Sequence, residues 1–156
     1  MSVETGTEST VVVEEGSWVT GVLAGIAGAV VMAVAMVVMG ATPVLAGAIP
    51  ALYTLAPPPS GVAGLFVHLS HGAVLGVAFL AILNATDVHD PTRVVAAGIG
   101  YGVLAWVVLA ALLMPVWLQA VGFANAPPFP NFAVPSLLWH LVYGAVLGVA
   151  VVALER

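Results

Sequence analysis

Apolar residues in this chain do not alternate with polar ones; they run on. Four stretches carry no internal charge: about Trp18–Met39, Val62–Leu83, Val94–Leu118 and Val134–Leu154. A helix needs roughly 20 apolar residues to cross the hydrocarbon core of a bilayer, and each stretch supplies them. The pattern predicts an all-α membrane protein with four transmembrane helices.

The segments between the runs differ in character. GATPVLAGAIPALYTLAPPPSG and QAVGFANAPPFPNFA contain no charge, and their proline clusters, Pro57–Pro59 and Pro127–Pro128–Pro130, end helices and favour turns or extended backbone. They are apolar enough to lie in the membrane interface or fold back into the bilayer. NATDVHDPT between the second and third runs is polar, and Asp90 or Thr92 suits a helix cap there. Residues 1–16, MSVETGTESTVVVEEG, hold four of the seven acids and read as an acidic, disordered tail. They lack the basic start of a secretory signal, so the first apolar run is expected to stay as an anchor. The expected organisation is thus a tail over 1–16 and a four-helix domain over 17–156.

A repeat runs through that domain. HLSHGAVLGVA begins at His68 and HLVYGAVLGVA at His140, a constant offset of 72 residues. The same offset pairs Pro43 with Pro115, Pro58 with Pro130 and Gly28 with Gly100. A two-helix unit keeps its orientation when duplicated, so the expected architecture is a tandem, parallel repeat of a hairpin, about 18–83 and 94–154, around an axis along the membrane normal.

Composition sharpens the picture in three places. The chain is 62% hydrophobic and 6% charged, whereas soluble domains carry about a quarter charged residues, so the lipid bilayer is its expected partner. Its net charge is −5 with no lysine, which leaves no basic face for nucleic acid and resembles the composition of halophile proteins. Both arginines, Arg93 and Arg156, fall on the side shared by the termini and the middle loop. The positive-inside rule places that side in the cytoplasm, making the expected location a multi-pass cell-membrane protein with cytoplasmic termini. Cysteine is absent, which excludes disulfides and thiolate sites.

Every span carries a GxxxG: Gly21/Gly25, Gly72/Gly76, Gly98/Gly102 and Gly144/Gly148. Small residues let helices pack closely in lipid, so these positions predict a tight bundle that also packs on other subunits or on itself. Trp18, Trp117, Trp139 and Tyr53 fall near span ends and suit the interfacial belt. Intramembrane polar groups are costly and mark candidate sites. His68 and His71 share one side of the second helix; His140 is the repeat mate of His68, while Tyr143 replaces His71. Two readings stay open: neutral imidazoles bonded to a carbonyl or to a serine such as Ser70, or a functional pair. In the functional version, His68 and His140 suit a bis-imidazole haem b, with His71 and Tyr143 beside it. Copper is the alternative, with His68, His71, His140, Met39 and Met114 as ligands. Met32, Met36 and Met39 lie at helical spacing on the first span, a pattern that also serves plain core packing. His89 in DVHD reads as part of a solvated turn. Carboxylates are absent from the spans, which weakens a proton-coupled transporter of small solutes.

Enzymatic readings fare poorly: Walker lysine, HExxH and GxSxG are all absent, and Ser136 and Thr42 lack an acid–base arrangement. The Gly/Met-rich AGIAGAVVMAVAMVVMG, a Pro-rich stretch and GLFVHLSHGAVLGVAFLAIL together resemble a family of small four-helix membrane proteins of halophilic archaea, which carries no established activity. The expectation is a non-enzymatic accessory or scaffolding subunit of a membrane assembly, with the redox or metal-handling protein as its alternative.

Overall fold

The computed structural model describes residues Ser17 to Glu155, so the acidic tail lies outside the described residues. Four helices are long and apolar enough to cross a membrane. They are α1 (Ser17–Val38), α2 (Gly61–Ala85), α3 (Pro91–Ala120) and α4 (Val134–Leu154), and no strand occurs among the described residues.

Local chemistry sets their ends. Asp90 sits in extended backbone and accepts from the Arg93 amide at 2.9 Å, with Pro91 opening the helix behind it. Ser60 caps α2 in the same way, accepting from Ala63 at 3.2 Å. Gly40 and Gly122, both at positive φ, follow the ends of α1 and α3, where only glycine turns the chain without Cβ strain. Asp90→Ala removes one charged acceptor from the four amides that open α3. It should lower stability by about 1 kcal/mol in detergent-solubilised unfolding.

The uncharged connections are more structured than their prolines suggest. A wide, π-type turn at Val44–Ala48 leads into a short helix, Ile49–Ala51, folded against α2. A second wide stretch, Trp106–Leu113, interrupts α3. A wide turn displaces carbonyls from the ordinary ladder, and both stretches lend one to the chain entering the next helix. Ser60 N donates to the Ala46 carbonyl at 2.8 Å, and Asn131 N to that of Ala111 at 2.9 Å. Each connection is therefore stitched to the helical segment it follows.

Packing follows the glycines. A methyl on Gly25 would overlap the Gly72 carbonyl, and one on Gly76 the Gly21 carbonyl, so α1 and α2 touch backbone to backbone. On the other side, Gly98 lies against the Gly144 carbonyl and Gly102 against that of His140. The eight GxxxG glycines are thus consumed inside the chain, not held out to a partner. Large apolar side chains such as Val38, Val62, Phe66 and Val74 cover the outside instead, as a lipid-facing surface requires.

The two hairpins join on one side only. Helix α1 packs along α4, where Gly28 leaves room for the ring of Tyr143. Helices α2 and α3 stand apart and meet through Tyr101, which donates to the Leu75 carbonyl at 3.0 Å and packs its ring at a tilt against Phe79. Glycine contacts explain the asymmetry. Gly98 takes the place opposite Gly144 and Gly148 that Gly25 takes opposite Gly72 and Gly76. By that register Tyr101, not Gly100, stands where Gly28 stands. Gly100 faces open space, so the letter-by-letter pairing of Gly28 with Gly100 does not describe equivalent surroundings. A glycine lets one pair of helices close; a tyrosine props the other pair apart.

Candidate functional site

The intramembrane histidines and Tyr143 lie in the half of the bundle nearer the Pro-rich connections. His68 is buried, and its Nε2 lies 3.0 Å from the carbonyl of Ala29 on α1. A carbonyl can only accept, so Nε2 carries the proton and donates. His140 is half-buried, and its Nδ1 donates at 2.7 Å to the Ser136 carbonyl one turn back on its own helix. Matched in sequence, the two imidazoles present opposite nitrogens to the backbone.

The symmetry-breaking corner is filled differently again. Tyr143 is buried and donates across the bundle to the Gly72 carbonyl at 3.0 Å. His71 reaches the other way, to the Tyr53 hydroxyl at 2.8 Å, and so ties α2 to the first Pro-rich connection. Ser70 partners neither histidine; its hydroxyl donates to its own helix at Phe66, 2.8 Å away. His71 and His140 both lie within electrostatic reach of His68.

The Tyr143–Gly72 bond fixes the relative level of the histidines. His140 is three residues before Tyr143 on α4, and His68 four before Gly72 on α2. Each therefore sits one turn nearer the Pro-rich end of its own helix. The space between them is bounded one turn inward by the Tyr143–Gly72 bond, with α1 and α4 in contact beside it at Gly28. A porphyrin held by both histidines would also need Nε2 of His68, already engaged with Ala29. Binding iron through that nitrogen would require the Ala29 bond to break.

The ligand set expected for copper does not assemble as a unit. The Sδ of Met39 accepts from Trp139 Nε1 at 3.0 Å, Met114 packs where the central core meets a smaller cluster of Ala51, Ala56 and Leu118, and His71 is engaged with Tyr53. Trp139 is thereby buried, whereas Trp18, Trp117 and Tyr53 are exposed near span ends as an interfacial belt requires. Among the described residues no three His, Asp or Glu side chains converge as a metal-holding group. Asp87 and His89 pair with each other at 3.0 Å in the exposed middle loop.

Two features escape a reading of the sequence. Met32, one turn along α1 from Gly28, is buried in the same core cluster as Trp139 and Tyr143, at the level of the histidines. Its place in the Met32/Met36/Met39 stripe is visible in the letters, but not which rung is buried beside Tyr143 in the core. Trp106 Nε1 is enclosed and lacks a partner among the described residues, with its ring against Phe132.

Four apolar helices locked by glycine contacts, with polar side chains bonded inward to carbonyls, are compatible with a multi-pass helical membrane protein. The chain belongs to DUF6789, a family of unknown function, whose model matches residues 16–156. No curated protein and no solved structure matches it.

Proposed function

We propose that this protein is a non-enzymatic accessory or scaffolding subunit of a larger membrane assembly. The observation that carries the reading is the state of α3. It is the least buried of the four spans, and Gly100, Leu104 and Val108 form an exposed stripe along it, with no other described residue within reach of a side chain at Gly100. The internal glycines hold the rest of the bundle rigid, which suits a part that presents one face. Almost all of the described chain is helix or short connection, leaving no extramembrane domain there to hold a soluble substrate.

Two finer readings belong with this one. The chain is a duplicated hairpin, supported by the repeated letters and by matching glycine contacts in the two halves. Its middle loop and C-terminus face the cytoplasm, supported by the positions of Arg93 and Arg156.

A photo-crosslinking residue in place of Leu104, activated in native membranes, tests the role. Discrete adducts with another membrane chain or a second copy are expected, with none from the same residue in place of Val62 on α2. A protein that crosslinks to nothing at Leu104 and leaves mild detergent as a functional single chain refutes it.

A further inference from the structure

Two imidazole lone pairs in the bundle have no hydrogen-bond donor. His68 gives its N–H to Ala29, so in the neutral ring Nδ1 is an acceptor; His140 gives its N–H to Ser136, so Nε2 is an acceptor. Neither nitrogen has a hydrogen-bond partner among the described residues. Each N–H bond to a main-chain carbonyl fixes its ring and tautomer, as carbonyl bonds do behind metal-ligating histidines.

We propose that His68 Nδ1 and His140 Nε2, together with the thioether of Met32, form an intramembrane site for a soft monovalent cation, Cu(I), with Ag(I) as its surrogate.

Placement puts the three at one level of the bundle. His68 on α2 and His140 on α4 both lie one turn toward the Pro-rich end from the Tyr143–Gly72 bond. Met32 lies one turn the same way from Gly28, whose neighbour is that same Tyr143. Chemistry then selects the ion. Two imidazoles and a thioether are neutral, and no span contains a carboxylate to balance a divalent charge. Moving one charge into a low-dielectric site costs far less than moving two, and nitrogen with thioether sulfur favours Cu(I) over hard ions. The chain has no cysteine to compete for it. His71, Met39 and Met114 fall outside the site because their partners hold them elsewhere.

Anaerobic titration of the purified full chain in detergent with Cu(I), against a chromogenic Cu(I) chelator, tests the site, with X-ray absorption of the loaded protein as a second readout. One equivalent per chain is expected, with nitrogen and one sulfur around the metal. His140→Ala and His68→Ala should each weaken binding at least about tenfold, a loss that even changes behind the ligands commonly reach. Met32→Leu should remove the sulfur signal, while His71→Ala and Met39→Leu leave affinity unchanged. His140 bonds only its own helix, so its variant keeps the fold, verified by circular dichroism, and decides the test even where His68→Ala fails to fold. A chain that takes up no Cu(I), or binding that survives His140→Ala, overturns the proposal. Sulfur scattering that persists in Met32→Leu removes the thioether from it. The titration uses the isolated chain, so its outcome is independent of whether the protein is part of an assembly.

Discussion

Replacing Gly25 by Leu is expected to cost at least about 3 kcal/mol of folding stability, enough to remove most of the folded protein. The reason is contact geometry, since even the first carbon of a side chain at Gly25 would occupy the place of the Gly72 carbonyl. Backbone cannot swing aside as a side chain can, so α1 and α2 must separate along their length. Gly100→Leu on α3 provides the contrast. Nothing lies within reach of its Cβ, and leucine favours helix over glycine, so stability should stay within about 0.5 kcal/mol of the parent. Reversible unfolding in mixed micelles, read by far-ultraviolet circular dichroism, separates the two. Equal loss at both positions would show that the cost does not come from the Gly25–Gly72 backbone contact.

His68→Ala is expected to cost about 2 to 4 kcal/mol, and His140→Ala about 1 kcal/mol. His68 is buried and joins two helices through Ala29, so its removal deletes an interhelical hydrogen bond and leaves a cavity. His140 is half-buried and its bond stays within α4, so less tertiary structure depends on it. The same micelle unfolding assay measures both. A larger loss at His140 than at His68 would contradict this division of roles.

Much of this architecture is legible in the sequence because lipid imposes simple rules. Four uncharged runs become α1 to α4 with ends shifted by three residues at most, since a span must be long, apolar and closed on its own hydrogen bonds. Of the two caps the letters offer, Asp90 and Thr92, the helix uses Asp90, with Pro91 suited to its first position. The GxxxG spacing finds the contacting positions, but not which helices they join. Pairing depends on the turn-by-turn register of two helices, and a one-residue difference between the halves puts Tyr101 in the place that the letters give to Gly100. The histidines are likewise visible as costly groups at matched positions. Which nitrogen each ring commits depends on whether a carbonyl of another helix, Ala29, or of its own, Ser136, lies within reach. No spacing rule encodes that choice. Trp139 looks interfacial by position and is instead buried against Met39, because α1 and α4 lie together along that side.

The one-sided closure of the bundle has a mechanical consequence. Each hairpin is incompressible across its glycine seam, because main chain already touches main chain. The molecule is bound like a book, with α1 and α4 as the spine, α2 and α3 as the outer boards, and the Tyr101 hydroxyl as the clasp at the fore-edge. Compliance is then concentrated in one coordinate, the angle between the boards. A change in lateral pressure or bilayer thickness would be taken up there first, while the spacing within each board stays fixed.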